Sequence, residues 1–201
     1  MVRSVDNIVI SQSCHVCLTN DMIAVMSESL ITQLQTLPDS KQRQLAAGAF
    51  LFHQGDSVEA LFVVLAGEVR LIRHQPDGGS ITLQRATAGQ VLAEASLYVP
   101  CYHCHAVAEK AACLHVLPKA VVFARLQSDA DFAQQWAAYL AREVQQARLR
   151  SEWLSLKTVA ARLDGWLNWH GGKLPPKGEW KALAEQLSIS PEALYREIAK
   201  R

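Results

Sequence analysis

Residues 60–71 read Ala-Leu-Phe-Val-Val-Leu-Ala-Gly-Glu-Val-Arg-Leu, an apolar run that ends at a glycine and continues as an alternating pattern. A short apolar run bounded by glycine is typical of a buried β-strand, and alternation after Gly67 indicates a strand with one buried face. The preceding His53-Gln54-Gly55-Asp56 is a turn signal. This stretch therefore predicts β-strands at the centre of the chain.

Strand patterns continue on the C-terminal side as far as Pro118. Pro76-Asp77-Gly78-Gly79 predicts a hairpin turn, because Asp-Gly-Gly supplies the positive φ angles that a tight turn needs. Ile81-Thr82-Leu83 is the predicted returning strand, and apolar pairs between residues 107 and 117 predict the last strands. Several short strands about 8–12 residues apart indicate a β-barrel or sandwich.

The periodicity becomes helical after residue 128. An apolar stripe predicts a long helix from Asp131 to about Leu156. The stripe consists of Phe132, Trp136, Tyr139, Leu140, Val144 and Ala147. Such a helix can pair with a second copy of itself or pack on its own barrel, and we expect self-pairing.

The C-terminal segment predicts three short helices. The first is stopped by Gly171-Gly172, and the second spans roughly Glu179–Leu187. Ser190 is positioned to cap the third helix, with Pro191 at the first helical position, where its missing N–H costs nothing. Two short helices joined by so few residues have the form of a helix-turn-helix.

Composition restricts the class of protein. The chain has 201 residues, 50% of them hydrophobic and 19% charged, which is enough to bury a core in one large or two small domains. No apolar run approaches the about 18 residues that span a bilayer, and the N-terminus has no secretory signal pattern. Five cysteines, an odd number, do not indicate a disulfide framework. We expect a cytoplasmic protein without membrane contact.

The charge is distributed unevenly. Residues 148–201 hold 10 Lys/Arg and 6 Asp/Glu, whereas residues 1–147 hold 10 and 13. A basic C-terminal quarter suits nucleic-acid binding, although an ordinary solvated helical surface would look similar. No P-loop and no G-x-G-x-x-G pattern is present, so we expect no enzyme.

Taken together, residues 45–201 resemble the Crp/Fnr superfamily of bacterial transcription regulators. The resemblance rests on His53–Asp56, residues 60–71, Asp77-Gly78-Gly79, Gly89, the long helix and the helix-turn-helix. It implies an α+β fold: an N-terminal double-stranded β-helix (jelly roll) sensor domain, a long dimerisation helix and a small all-α helix-turn-helix domain. Because the sequence ends at Arg201, we expect most or all of the β-hairpin wing of relatives to be missing.

The expected domain boundaries follow from these patterns. Residues 1–26 are poorly patterned, and Met26 is a candidate start that would leave 1–25 upstream of the natural chain. The β-roll is expected at 27–128, the dimerisation helix at 129–156 and the DNA-binding domain at 157–201.

The resemblance also indicates an effector pocket that departs from the nucleotide-binding pattern. The Gly-Glu-Leu turn of the cyclic-AMP receptor reads Ala93-Glu94-Ala95 here, and its phosphate-binding Arg-Ser pair falls near Cys104 and His105. The position of the base-contacting pair falls near Ala147 and Arg148, and Arg148 could admit another anion. A cyclic phosphate would lose its bidentate arginine partner, so cyclic AMP is not expected to bind.

Cys101-Tyr102-His103-Cys104-His105 matches the C-x-x-C-H pattern of haem attachment. Together with Cys14 and Cys17 it could instead form a four-cysteine zinc or iron–sulfur site. We favour a third interpretation, unliganded thiols in a loop, so the metal candidates Cys14, Cys17, Cys101 and Cys104 stay open. Cys113 lies in an apolar strand and is expected in the core.

The helix-turn-helix is closer to the family pattern. Many members read Ser-Arg-Glu-Thr-x-x-Arg, and this chain reads Ser190-Pro191-Glu192-Ala193-Leu194-Tyr195-Arg196. Glu192 can accept from cytosine and Arg196 can donate to guanine. The expected DNA-binding residues are Ser190, Glu192, Tyr195, Arg196 and Lys200.

The resulting hypothesis is a homodimeric DNA-binding transcription regulator that senses an unidentified small effector or redox signal through its β-roll. Double-stranded DNA and a second copy of the chain are the expected partners, and RNA polymerase is a further candidate. Two alternatives stay open: a sensor or interaction module whose degenerate DNA-binding domain no longer reads bases, and a metal- or haem-linked redox sensor.

Overall fold

The computed structural model describes residues 29–76 and 78–201, which form two compact units divided between Leu140 and Ala141. The first unit is built on six strands: β1 (Lys41–Leu45), β2 (Phe50–Phe52), β3 (Ala60–His74), β4 (Ser80–Thr87), β5 (Val91–Leu92) and β6 (His105–Pro118). They pair antiparallel in the order β1-β6-β3-β4, with β2 also on β6 and β5 also on β3. The predicted β-structured core is confirmed.

Strands β3 and β6 are long and bent. The sequence shows them as separate short runs, but they are continuous over 15 and 14 residues. Their mutual register shifts three times between Val64 and Val69, and such bulges bend a strand and increase its twist. Gly67 lies within these shifts with a φ of +82°, a conformation that glycine adopts without strain.

The hairpin predicted after β3 joins it to β4. Gln75 N–H donates to the Gly79 carbonyl at 2.8 Å, and Gly78 has a φ of +85°. Asp77, the other residue of the predicted turn, lies outside the described residues.

Two apolar layers lie on either side of the sheet. One fills the inside of the roll, where Val64, Val69 and Leu114 are fully buried. The other joins the sheet to a helix at residues 29–35 (α1), to α2 (Lys119–Ser128) and to the first part of α3 (Ala130–Ser155). In the first of these helices, Leu30 and Leu34 have no exposed surface.

The long helix α3 changes character along its length. Phe132, Trp136 and Tyr139 pack on the chain's own sheet, so for this part the alternative of packing on its own barrel is correct. The Tyr139 hydroxyl accepts from Val91 N–H at 3.2 Å. Further along the same stripe, Val144 is 48% exposed in the single chain.

The second unit contains the end of α3, α4 (Val159–Trp169), α5 (Trp180–Gln186) and α6 (Pro191–Ile198). Its core is lined by Leu163, Trp166, Leu183, Ala184, Leu187 and Leu194. Helix α4 is capped by Thr158, whose hydroxyl accepts from Ala161 N–H. The predicted three short helices are therefore present, with the stop of α4 at two glycines of positive φ.

Among the residues that the structure describes, no helix is both long and apolar enough to span a bilayer. One prediction about the core is wrong. Cys113 is only half-buried, and its Sγ lies 3.9 Å from Gln42 Oε1. It lies in β6 opposite Gln44 of β1, a strand too short to shield the Cys113 side chain from solvent.

Candidate effector pocket and nucleic-acid interface

The turn predicted to face an effector begins a short 3-10 helix, Glu94–Tyr98. Ala93 is buried with a φ of +58°, a conformation that a residue with a β-carbon adopts at a cost. Gln84 on β4 holds this turn through three hydrogen bonds. Its Oε1 accepts from Ala93 N–H at 3.0 Å, and its Nε2 donates to Glu94 Oε2 at 2.8 Å and to the Val91 carbonyl at 3.3 Å. The Glu94 carboxylate is thus oriented by a neighbouring side chain, while Ala95 is exposed.

Cys104 points into the apolar interior of the roll. It is buried in the same cluster as Leu71, Ala86 and Ala93. Burial raises the pKa of the Cys104 thiol, and the nearby charge of Arg73 lowers that pKa by a smaller amount. The thiol is therefore neutral near pH 7 and cannot replace the charge of an arginine.

His105 lies at the edge of the roll among other rings. Its ring centroid is 5.0 Å from that of His74 and 5.6 Å from that of His53. Its Nδ1 accepts from Gln54 N–H at 3.2 Å, which fixes the hydrogen on Nε2 in the neutral ring. Burial, together with the charges of His74 and His53, lowers the pKa of His105.

Five of the predicted pocket residues lie in the roll, and the structure adds neighbours that the sequence did not reveal. The five are Ala93, Glu94, Ala95, Cys104 and His105. Those neighbours are Gln84, Arg73, His53 and His74. Arg148, the sixth predicted residue, is exposed on α3 in the second unit.

The cysteine candidates receive no support as a metal centre. In residues 29–76 and 78–201, no three side chains of His, Cys, Asp or Glu are grouped so that they could hold a metal ion. Cys101 and Cys104 are free thiols. Cys14 and Cys17 lie outside the described residues.

The start of α6 is capped as the sequence predicts. The Ser190 hydroxyl accepts from Ala193 N–H at 3.2 Å, and Pro191 occupies the first turn. The backbone N–H of Glu192 and the Ser190 hydroxyl hold the pKa of the Glu192 carboxyl below its usual range. This helix end is therefore well defined and carries an ionised carboxylate at neutral pH.

One face of α6 is buried and the other is exposed. Leu194 has no exposed surface, whereas Glu192, Tyr195, Arg196 and Lys200 lie on the outer side. Arg196 Nε donates to the Glu192 carbonyl at 3.4 Å, and the described residues give its Nη groups no partner. Lys200 Nζ is 3.8 Å from Glu197 Oε2, and Arg201 Nη1 bonds Asp164 Oδ1 at 2.6 Å. All five predicted DNA-binding residues thus lie on the outer side of one helix and its ends.

Comparison with known proteins gives a family match for part of the first unit. Residues 42–129 match the family described as "Cyclic nucleotide-binding domain". That range covers most of the roll and the helix α2 that follows it. No curated protein matches the sequence significantly.

Several solved structures share this fold. FixK2 from Bradyrhizobium japonicum shares 17% identity over 80% of this chain and 83% of its own, with a TM-score of 0.66. The c-di-GMP responsive global regulator CLP from Xanthomonas campestris shares 18% over 86% and 90%, with a TM-score of 0.62. A CRP-family regulator from Thermus thermophilus shares 20% over 79% and 83%, with a TM-score of 0.58. At these identities the likeness establishes the fold.

Proposed function

We propose that this chain, which carries a cyclic nucleotide-binding domain and has the fold of the Crp/Fnr transcription regulators, is itself a DNA-binding transcription regulator and not an enzyme. The observation that carries the proposal is helix α6, which begins at a capped serine, is anchored by Leu194 and exposes Glu192 and Arg196 on one face. This is the arrangement of a recognition helix in a helix-turn-helix.

The exposed side chains of α6 suit the chemistry of a major groove. The Arg196 guanidinium can donate two hydrogen bonds to O6 and N7 of a guanine, and the Glu192 carboxylate can accept from N4 of a cytosine. Lys200, with 72% of its side chain exposed, suits a phosphate, which carries no sequence information. Tyr195 is 42% exposed beside Trp180, with ring centroids 5.7 Å apart.

A dimer would supply two such helices. The exposed part of the α3 stripe, at Val144 and Ala147, is the surface that we assign to a second copy of the chain. In a symmetric dimer two α6 helices about 34 Å apart would enter successive major grooves, so the DNA site would be a palindrome.

The roll is the proposed sensor. A signal received at Glu94 or near Cys104 would change the orientation of the two α6 helices through α3, which continues from the first unit into the second. The proposed signal is a small effector other than cyclic AMP or a redox signal. The resemblance places the phosphate-binding arginine near Cys104, which is a buried neutral thiol here.

Cyclic AMP is expected to bind no tighter than about millimolar, which corresponds to only about 4 kcal/mol. Isothermal titration calorimetry on the purified protein measures this directly, with a cyclic-AMP-binding family member titrated as positive control. Micromolar affinity would contradict the proposed pocket.

The proposed DNA contact is tested by salt dependence. Fluorescence anisotropy with a random-sequence duplex at low salt should show binding whose affinity falls steeply as salt rises, because counterions are released from the phosphates. Lys200→Ala should weaken binding to every sequence alike and make the slope of log K against log salt shallower by about one phosphate contact. Arg125→Ala serves as the control for the loss of one positive charge away from α6, because Arg125 lies in the first unit and pairs with Asp129.

A protein that binds no duplex at low salt would be an interaction module with a degenerate DNA-binding domain. Iron or zinc in purified protein, lost in Cys101→Ser with Cys104→Ser, would instead favour the redox sensor. RNA polymerase remains a proposed partner of the DNA-bound dimer.

A further inference from the structure

Arg162, in the first turn of α4, bonds the carboxyl ends of two other helices at once. Its Nε donates to the Leu156 carbonyl at 2.8 Å, directly after the last residue of α3. Its Nη1 donates to the Leu187 carbonyl at 3.0 Å and to the Ser188 carbonyl at 3.1 Å, in the turn that follows α5. One half-buried guanidinium therefore joins the end of α3 to the turn that precedes α6.

The charge of Arg162 suits both sites. The last carbonyls of a helix have no partner within the helix, and a cation there is favoured by the helix dipole. The planar guanidinium holds its donors in a fixed fork, so it sets a distance and an angle between the two helix ends. An ammonium group on a flexible stem is a single point charge and cannot do this.

The turn that Arg162 contacts is tight. Ser188 has a φ of +50°, in the left-handed region that favours glycine, and Ile189 N–H donates back to the Ala184 carbonyl at 3.0 Å. Two residues later Ser190 caps α6. A small displacement of this turn therefore changes the direction in which α6 starts.

The other end of the connection is also closely packed. A β-carbon on Gly165 of α4 would lie 2.9 Å from Trp153 Cδ1, which shows how near the end of α3 approaches α4. Leu156 Cδ1 would be 3.5 Å away. The end of α3 is therefore in close contact with α4, and Arg162 on α4 is bonded to the turn.

We propose that Arg162 is the positioning residue that couples the end of the dimerisation helix to the orientation of the recognition helix. This inference rests on the proposed function for its DNA readout, but the linkage itself can be measured without DNA. Arg162 touches neither effector nor base in this arrangement and acts through the turn.

The test compares Arg162→Lys and Arg162→Met with wild type, using Arg125→Lys as the matched control. Arg125 is exposed and forms an ion pair with the half-buried Asp129 in the first unit. Hydrogen exchange of the whole protein should become at least about tenfold faster in residues 154–157 and 187–190 of Arg162→Met, because both segments lose a charge-assisted hydrogen bond. In Arg162→Lys at least one of the two segments should exchange faster, because an ammonium group cannot bond both at once. Exchange in residues 163–168 of α4 should stay unchanged, as should the control throughout.

DNA binding supplies the second readout. Affinity for the preferred duplex, the one that wild type enriches from a random DNA pool, should fall at least about tenfold in Arg162→Lys. Affinity for a random duplex of equal length should stay within about twofold, because phosphate contacts tolerate a rotated helix and base contacts do not. An equal loss on both duplexes would overturn the proposal, since partial unfolding has that effect. Unchanged exchange in either variant, or a change in one segment alone in Arg162→Met, would overturn it as well. If wild type binds no DNA, the proposed function fails, and the exchange pattern still decides the linkage.

Discussion

Gly67→Ala is expected to destabilise the β-roll by at least about 4 kcal/mol, a loss that single substitutions reach only through a specific defect. A β-carbon at this position would overlap the Ala111 carbonyl oxygen and lie 2.6 Å from the Ala112 Cα, both backbone atoms of β6. Strands β3 and β6 would have to separate at the centre of the sheet. The positive φ of Gly67 adds backbone strain of about 1–3 kcal/mol. Urea unfolding, followed by circular dichroism, measures the free energy of unfolding.

Gly89→Ala is the matched control. Gly89 has almost the same φ, +81°, but a β-carbon there would meet nothing within 4 Å. Its substitution should cost only the backbone strain, about 1–3 kcal/mol. Equal losses for the two variants would show that the close approach of β6 to Gly67 is not the reason for the glycine.

This glycine shows what the sequence could and could not predict about the fold. Alternation after Gly67 predicted a strand, and Ser190-Pro191 predicted the start of a helix, because both signals are local. The continuity of β3 through three register shifts depends on its partner β6, which no local pattern encodes. Helix α2 was missed because Lys119–Ser128 follows β6 directly and buries only Val122.

Arg196→Ala is expected to weaken binding to the preferred DNA site by about 1–3 kcal/mol, which is up to about a hundredfold, and to relax specificity at one base pair. The bidentate contact to guanine is lost, and alanine offers no donor in its place. Because Arg196 is exposed and bonds only its own helix, the free energy of unfolding should change by no more than about 0.5 kcal/mol. Anisotropy titration against the preferred duplex and its single-base variants measures both effects.

Arg125→Ala is the control for the loss of one positive charge. Arg125 is an exposed arginine of the first unit, paired with Asp129. Its removal should leave both affinity and base preference unchanged. If Arg196→Ala weakened all duplexes equally, Arg196 would be a phosphate contact and not a base reader.

The candidate DNA interface was more predictable than the candidate pocket. The exposed face of α6 follows from its cap and from the spacing of Leu194 and Ile198, all within one short segment. The surroundings of the pocket depend on strand register. Ile72 pairs with His105, which brings His74 beside that ring, and Gln84 reaches Glu94 only because β4 lies next to β3. Neither pairing can be read from spacing along the chain.

Selection of bound duplexes from a random DNA pool tests the central claim most directly, namely that a dimer of this chain reads DNA through α6. The experiment is done with the wild-type chain at low salt in the presence of a random-sequence competitor. The predicted result is an enriched palindrome whose half-sites lie about 10 base pairs apart centre to centre, one duplex turn. Absence of any enriched palindrome, with Arg196→Ala protein indistinguishable from wild type in the same selection, would contradict the claim.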